Sequence, residues 1–336
     1  MIRIGIICPS EIAFRRFLPS LKKAADFQYV GVAIATQKEF VGASREVLVK
    51  EKEKAQSFVE NYGGKIFEGY ESIICSDEID ALYVPLPPAL HFKWAKMALE
   101  HGKHVLVEKP STTCLADTQA LVSLAAEKKL ALHENYMFVF HEQMAAIDKI
   151  VKSGEIGDVR LYRISFGFPR RDARDFRYNK ALGGGALLDA GGYTMKLATE
   201  LLGDDVQLKA ASAGYIGEFE VDIYGSATLE NGKGAVAQVA FGMDNDYKCD
   251  LEIWGSKGTL TTGRILTAPN GYEPCYTIKK NQEFREGKLP VDDAFLKSIQ
   301  RFGSCMADAE VRQDNYEKML RQERLVEEFK NQSGMQ

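Results

Sequence analysis

The sequence predicts a chain of two parts, an α/β domain built on a parallel sheet followed by an α+β domain with a largely antiparallel sheet. Three observations carry this. The length is 336 residues, enough for two domains at roughly 150 residues each. As far as His133, short apolar runs alternate with amphipathic helical stretches. From about Val159 the texture changes, and strand-like segments follow one another with turn signals between them.

In the first part the candidate strands are Ile2–Cys8, Tyr29–Ala35, Ala81–Pro85, His104–Glu108 and Leu130–His133. Between them lie the amphipathic stretches Val47–Tyr62, Ala89–Glu100 and Leu115–Lys128. Strand and helix alternating at this spacing imply a parallel sheet with right-handed crossovers. The polar, charged segment Lys38–Lys54 reads as a solvated loop and the start of a helix. In the second part the strand candidates are Val159–Phe168, Val206–Tyr215, Asp222–Glu230, Gly234–Phe241 and Cys249–Gly255. Asn231-Gly232 and Ser256-Lys257-Gly258 mark turns. A helix is expected over Ala186–Leu202, and Asp292–Lys330 returns to helical periodicity with high charge density.

Composition narrows the function classes. Lys and Arg number 43 against 47 Asp and Glu, a formal charge of -4. That balance does not suit a protein whose main work is to coat nucleic acid or anionic membrane. No apolar run approaches the ~18 residues that span a bilayer. The opening residues lack the basic, apolar and small-residue order of a signal peptide. The 6 cysteines are scattered without a CxxC pair, so a cytoplasmic protein with reduced thiols is expected. His101 and His104 are close but have no third ligand at sensible spacing, and no metal site is expected.

The opening IRIGII, CPSE, IAFRRFL has the strand–turn–helix context of a dinucleotide fingerprint. The glycines of GxGxx(G/A) are replaced: the three positions are Cys8, Ser10 and Ala13. Cys8 must hold a negative φ or take on ~1–2 kcal/mol of strain. The Ser10 hydroxyl can donate to a phosphate, and the helix that follows offers N–H groups and a positive dipole end. By itself this segment is equally an ordinary first strand. The second candidate strand ends in Thr36, Gln37 and Lys38, with Glu39 late. A hydroxyl, an amide and a cation suit a ribose 2′-phosphate better than a free diol, so NADP(H) is favoured over NAD(H).

Two further strands end in loaded sequences. In ALYVPLPPALHFKWA the prolines after the strand fix a rigid loop, and His91 follows on a helix. In HVLVEKPS an ionisable pair, Glu108 and Lys109, stands just past an apolar strand, where α/β ligands bind. Pro110 can make its preceding bond cis and so aim Lys109. Later, LGGGALLDAGGY places Asp189 and Tyr193 four apart, on one helix face, beside Gly191 and Gly192. This is either an acid–base site or a helix packed closely on a sheet. PRRDARDFRY carries Arg170, Arg171, Arg174 and Arg177, fork-shaped donors suited to a diphosphate or, alternatively, paired with Asp172 and Asp175 on a solvated loop.

Taken in order, IGIICPSEIAFRRFLPSL, YVPLPPALHFKWAKMALEHGKHVLVEKPS, HENYMFVFH and LGGGALLDAGGY resemble the Gfo/Idh/MocA oxidoreductase family. Within it, AFRRFLP with DFRY and LGGGALLD resembles the branch of NDP-sugar 3-ketoreductases of deoxysugar pathways; aldose 1-dehydrogenases and dihydrodiol dehydrogenases share the glycine signature. The resemblance implies an α/β Rossmann N-terminal domain, 1–135, and an α+β substrate-binding C-terminal domain with an open-faced, mostly antiparallel sheet, 136–336, whose final helices either stay with it or pack back on the first domain. It implies a homodimer or homotetramer built through that sheet.

Carried over by position, Lys109 matches the family's catalytic lysine, Tyr193 the position of its His or Tyr, and Asp189 the acid one turn before. Cofactor-side positions are Cys8, Ser10, Glu11, Ile12, Ala13, Arg15, Thr36, Gln37, Lys38, Pro85, Leu86, Pro87, His91, Glu108, Lys109, Pro110 and Asn135. Substrate-side positions are Tyr136, Phe168, Arg174, Arg177, Tyr178 and Asp189. The implied reaction is reduction of a sugar ketone. Lys109 stabilises the developing alkoxide and Tyr193 donates or relays a proton; both side chains ordinarily titrate near pH 10 and so hold their protons at neutrality. The rival expectations are a sugar or diol dehydrogenase of the same fold, and a non-catalytic sensor that kept the fold.

Overall fold

The computed structural model describes residues 1–39 and 44–335. The chain divides into two units, Met1–Asn135 with Phe295–Leu320, and Tyr136–Ala294 with Arg321–Gln336.

In the first unit, β1 (Ile2–Ile7), β2 (Phe27–Ile34), β3 (Lys65–Glu68), β4 (Ala81–Val84), β5 (His104–Val107) and β6 (Leu132–Glu134) form one sheet in the order β3-β2-β1-β4-β5-β6. Every pairing is parallel. A parallel sheet is covered on both faces, so its central strands are apolar throughout rather than alternating. Ile4, Ile6, Ile7, Leu82, Val84, Val105 and Val107 are accordingly buried. The crossovers are α1 (Leu18–Leu21), α2 (Arg45–Tyr62), α3 (Tyr70–Ile74), α4 (Pro88–Glu100) and α5 (Leu115–Lys128). Local chemistry starts them: the Ser44 hydroxyl accepts from the Val47 N–H to cap α2, and Pro88 opens α4 where no N–H is needed. Phe40–Ala43, within the predicted polar insert, lie outside the described residues.

The strand order reverses between β1 and β4. Ligands of such sheets lie outside the carboxyl ends of the strands at that point. The turn at Cys8, the loop Pro85–Pro87, the segment Glu108–Pro110 and Asn135 therefore line one edge. The last predicted strand, Leu130–His133, is shifted to Leu132–Glu134, which brings Asn135 to that edge. β3 and α3 are additions to the predicted elements.

In the second unit, β7 (Val159–Gly167), β8 (Gln207–Tyr215), β9 (Asp222–Glu230), β10 (Val236–Gly242), β11 (Lys248–Gly255), β12 (Thr259–Gly263), β13 (Cys275–Lys280) and β14 (Glu283–Lys288) form a sheet in the order β14-β13-β12-β11-β7-β10-β9-β8. Only β7 with β10 is parallel; the other pairs are antiparallel. The strands alternate, as a half-solvated sheet requires. Ile164, Phe166, Val239, Phe241, Leu251 and Ile253 are buried, while Arg163, Gln238 and Trp254 are exposed. The buried face packs with α7 (Gly192–Leu202), and α6 (Glu142–Lys152) precedes β7. The predicted helix Ala186–Leu202 is divided: Leu187–Gly191 forms a wider π-turn before α7 begins.

Two final helices, α8 (Ala294–Ala307) and α9 (Ala309–Ser333), end the chain. Phe302 of α8 stacks on Phe27 of β2 with ring centroids 6.2 Å apart, and the Tyr316 hydroxyl of α9 donates to the Leu130 carbonyl, which ties residues 295–320 to the first unit.

A buried carboxylate anchors the π-turn. Asp222, at the start of β9, accepts the Leu187 N–H at 2.7 Å. Gly185 precedes the turn with φ 119, and a Cβ there would lie 2.3 Å from an Asp222 oxygen, so only glycine fits. Burial pushes the Asp222 carboxyl up to about 6, against a usual value of 3.8. A folded-state value above the unfolded one means that the native state holds more protons between those pH values. The contribution to stability is therefore complete below about pH 4 and is lost as pH rises through 6. Wild-type protein is expected to show a falling thermal midpoint over that window, and Asp222→Asn a flatter profile; equal slopes in a calorimetric pH series would refute the assignment.

Candidate functional site

At the carboxyl edge of the first unit, β1 ends in a turn at Cys8, whose φ is +78. The chain thus makes the backbone turn that glycine makes in a dinucleotide fingerprint, at the strain cost that the sequence anticipates. The Ser10 hydroxyl accepts the Ala13 N–H at 3.2 Å, so it caps the helix as well as facing the edge. Ala13 is buried, Ile12 is exposed, and Glu11 pairs with Arg15 on the surface at 3.4 Å. Burial pushes the Cys8 thiol up to about 12, with the Glu51 charge adding to the effect.

The end of β2 carries more acid than the sequence reading allows for. The Glu39 carboxylate turns back onto Thr36, accepting its N–H and its hydroxyl at 2.8 Å each. Its other oxygen accepts the Glu71 N–H at 2.9 Å. One residue earlier, the Glu51 carboxylate of α2 accepts the Ala35 N–H at 3.2 Å and the Tyr70 hydroxyl at 2.9 Å. The donors that a 2′-phosphate would use at Thr36 are therefore held by an internal anion, while Gln37 and Lys38 are exposed.

Past β4, Pro85 and Leu86 are buried and Pro87 is half-buried. His91 is fully buried. Its Nε2 lies 2.7 Å from the Leu86 carbonyl and its Nδ1 2.8 Å from the Pro110 carbonyl, so it joins the loop after β4 to the loop after β5. Burial pushes the ring down to about 4, and the Lys109 charge acts in the same direction; the two carbonyls oppose it less strongly. His91 thus faces protein on both ring nitrogens and acts by positioning. The Lys109–Pro110 bond is cis.

Beside half-buried Lys109, the Glu108 carboxylate is itself half-buried and held by neighbouring donors. Its Oε1 accepts the Tyr83 hydroxyl at 2.6 Å and the Asn135 amide at 2.7 Å, and its Oε2 faces the Lys109 N–H at 3.4 Å. Burial pushes the carboxyl up, while these donors and the Lys109 charge work against that shift.

In the second unit, Tyr193 stands in the first turn of α7, 8% exposed. Its ring meets Tyr136 edge-on at 5.3 Å, Phe166 at 5.4 Å and Phe138 at 5.8 Å. Three aromatic contacts, each contributing ~0.5–1.5 kcal/mol beyond area burial, fix the ring plane. A Cβ on Gly192 would lie 2.3 Å from the Tyr136 hydroxyl, which explains the second glycine of AGGY. Asp189 lies in the π-turn and accepts Arg177 Nε at 2.6 Å; Arg177 Nη1 also donates to Asp175 at 3.1 Å.

The other expected substrate-side residues divide. The Tyr178 hydroxyl donates to the Met243 carbonyl at 3.2 Å and accepts the Arg171 N–H at 3.0 Å, and its ring stacks on Phe219 at 4.6 Å; it anchors its own loop. Phe168 lies under the Arg171 guanidinium at 5.1 Å. Arg170 pairs with Glu218 at 2.7 Å. Arg174 pairs with Asp172 at 3.0 Å on an exposed segment, an arrangement typically contributing below ~1 kcal/mol and easily redirected. Among the described residues no cluster of His, Cys, Asp and Glu is able to hold a metal ion, and no helix is long and apolar enough to cross a membrane.

Comparison with known proteins agrees with this architecture. Residues 2–136 match the model of the oxidoreductase family with an NAD-binding Rossmann fold, and residues 144–261 match the GFO/IDH/MocA C-terminal domain. The chain is 35% identical over 97% of its length to dTDP-3,4-didehydro-2,6-dideoxy-alpha-D-glucose 3-reductase of Actinomadura kijaniata, covering 94% of that protein. It is 38% identical over 92% of its length to the enzyme of the same description from Streptomyces violaceoruber, covering 86% of it. Among solved structures, the 3-ketoreductase KijD10 of A. kijaniata, in complex with NADP and TDP-benzene, superposes with a TM-score of 0.90 at 35% identity, covering 98% of this chain and 97% of that one. Structures of that enzyme also exist with one tyrosine changed to phenylalanine and with one lysine changed to alanine; those two residues are as far apart in its sequence as Lys109 and Tyr193 are here. The chain belongs to the GFO/IDH/MocA oxidoreductase family.

Proposed function

We propose that this protein reduces the C3 ketone of a dTDP-linked deoxysugar with NADPH, using Lys109 and Tyr193. The observation that carries the reading is the pair itself: a lysine at the β5 edge next to a half-buried Glu108, and a tyrosine in an aromatic cage, at the spacing of the lysine and tyrosine varied in the related 3-ketoreductase. An alternative dehydrogenase role on free sugars has no comparable support.

The edge residues fit a dinucleotide. Cys8 adopts the left-handed turn, the prolines after β4 leave no competing N–H, and the strand order reverses between β1 and β4. Cys8 and Ser10 would face the pyrophosphate with buried Ala13 packed behind them, Thr36 to Lys38 would face the adenosine ribose, and Pro85 to Pro87 with Glu108 the nicotinamide side. When bound, the reduced nicotinamide supplies a hydride. As the carbonyl carbon accepts it, negative charge grows on oxygen. The Lys109 ammonium stabilises that charge, and the Tyr193 hydroxyl delivers the proton that completes the alcohol. The Tyr83 and Asn135 donors keep the Glu108 carboxylate in place beside the lysine. Asp189 holds Arg177, which fixes the loop before the π-turn.

Homo-oligomer formation through the open face of the β7–β14 sheet belongs to the same reading, supported by its alternating exposed face, as does a cytoplasmic site of action.

Lys109→Ala is expected to lower kcat on the dTDP-linked 3-keto sugar by ~100- to 1000-fold, the usual effect of removing one charge-stabilising donor. Tyr193→Phe should lower kcat while leaving the far-ultraviolet circular dichroism unchanged. Unaltered turnover in either variant would remove that residue from the mechanism. Glu39→Gln frees the Thr36 donors from a competing anion and is expected to lower the KM for NADPH ~5-fold, equivalent to about 1 kcal/mol, with little change for NADH. A raised NADPH KM would instead make Glu39 a cofactor ligand. Arg174→Gln is expected to raise the KM for the dTDP-sugar several-fold without changing kcat, as loss of one diphosphate donor would; an unchanged KM would exclude Arg174 from substrate binding.

A further inference from the structure

A dTDP-linked sugar carries a diphosphate, and the guanidinium fork is the side chain best matched to it. In the second unit the loop after β7 carries Arg170, Arg171, Arg174 and Arg177, and Arg264 stands one residue past β12 at the same end of the sheet. Three of these are neutralised within the chain. Arg170 pairs with Glu218, Arg174 with Asp172, and Arg177 with both Asp175 and Asp189. Arg171 and Arg264 have no carboxylate within 4.0 Å among the described residues.

Arg264 is fixed in place. Its φ is +54, a left-handed conformation that a residue with a Cβ keeps only where its surroundings impose it. Here they do. Ile265 and Leu266, the next two residues, are 0% exposed. The Ile265 N–H donates to the Cys249 carbonyl at 3.3 Å, and the Ile265 carbonyl accepts Gln143 Nε2 at 3.1 Å. The half-buried Arg264 guanidinium lies 4.5 Å from the centre of the Tyr247 ring. The Tyr247 hydroxyl is in turn 3.1 Å from Thr267 Oγ1, which lies 3.4 Å from Cys249 Sγ. Arg171 lies over Phe168 in the same manner, at 5.1 Å. An aromatic face steadies a cation without neutralising it. Both guanidiniums therefore keep their charge for an anion that the chain itself does not supply.

The two rings sit on the Tyr193 side of the sheet. Gly167 with Lys248 is the last pair of β7 with β11, and Phe168 and Tyr247 follow it. One pair inward, Cys249 stands opposite Phe166. Phe166 meets Phe168 at 6.0 Å and Tyr193 at 5.4 Å. Contacts thus run from Tyr193 through Phe166 toward both arginine-bearing rings. A nucleotide-linked hexose is an extended molecule. From C3 its ring leads to the anomeric carbon, then to the two phosphates, then to the nucleoside, so the anionic part falls beyond the reacting oxygen along this end of the sheet. The neighbouring acids do not close the arginine off. Asp246 is exposed, and Asp250 alternates to the other face from buried Cys249.

We infer that Arg264, steadied by Tyr247, and Arg171, steadied by Phe168, clamp the diphosphate of the nucleotide-linked substrate. The identity of the ligand rests on the proposed reduction of a dTDP-sugar. The clamp sets specificity: it distinguishes a nucleotide-linked sugar from the free sugar and takes no part in hydride or proton transfer.

Calorimetric titration of the full-length protein with dTDP, in saturating NADP+ so that the cofactor's own diphosphate site is filled, reads the clamp directly. The wild type is expected to bind dTDP. Arg264→Gln should weaken that binding ~10-fold or more, the usual effect of losing a charge-assisted donor. Arg264→Lys, which keeps the charge without the fork, should fall between the two, and Arg171→Gln should weaken binding several-fold. In turnover, Arg264→Gln should raise the KM for the dTDP-linked 3-keto sugar with kcat unchanged, and leave the KM for the same sugar without its nucleotide unaltered. If Arg264→Gln lowers the thermal midpoint, Arg264→Lys and Arg171→Gln carry the test. Wild-type dTDP affinity in these variants overturns the clamp and leaves the proposed reduction standing. A fall in kcat at constant KM would place Arg264 at the reacting carbon and also overturns it. Wild-type protein that binds no dTDP when loaded with NADP+ rejects the clamp together with the nucleotide-sugar reading.

Discussion

A carboxylate drawn partly out of water must find donors or lose its charge, and Glu108 is the place where this chain meets that requirement. It stands one residue past a strand that is apolar because a parallel sheet is covered on both sides. Tyr83 from β4 and Asn135 from beyond β6 reach it from the strands flanking β5. Satisfying one acid thus fixes three adjacent strand ends, and with them the segment that carries Lys109. His91 performs the same service for the loops after β4 and β5 by contacting a carbonyl of each. The edge is rigid because its polar groups face one another.

The second unit solves the matching problem with apolar contacts. Tyr193 is held by three aromatic rings, and the close approach of Tyr136 requires glycine at position 192. The π-turn before it is pinned by Asp222 from the sheet and by the Asp189–Arg177 pair from the preceding loop. A lysine kept near a carboxylate and a phenol kept in an aromatic cage are suited to complementary work: the first stabilises charge, the second delivers a proton.

Much of this was legible from residue order. β4 and β5 are short apolar runs and β1 is apolar but for Arg3, each ending in turn signals, and EKP is conspicuous because an ionisable pair follows one of them. β3 escaped notice because KIFE is four residues long with a charge at each end, and β14 because EFREGK lies almost wholly in solvent. The division of the Ala186–Leu202 helix leaves no periodicity signal, since one extra residue in a turn hardly alters the apolar pattern. The reach of Glu39 back to Thr36 depends on loop conformation. In the first unit, His133 Nε2 lies 3.0 Å from Ser298 Oγ, a contact between residues 165 apart in sequence, and no local pattern marks such a pair; its only trace was a histidine at the end of an apolar strand.

The central claim is that this edge and this tyrosine reduce a ketone on a sugar nucleotide. The most direct measurement is incubation of the enzyme with a dTDP-linked 3-keto-2,6-dideoxyhexose and NADPH carrying deuterium at nicotinamide C4, with mass spectrometry and proton resonance of the product. The account requires one deuterium at C3 of the sugar and a new hydroxyl there, matched by loss of reduced cofactor. Reduced cofactor left unconsumed, or deuterium found at another carbon, would contradict it.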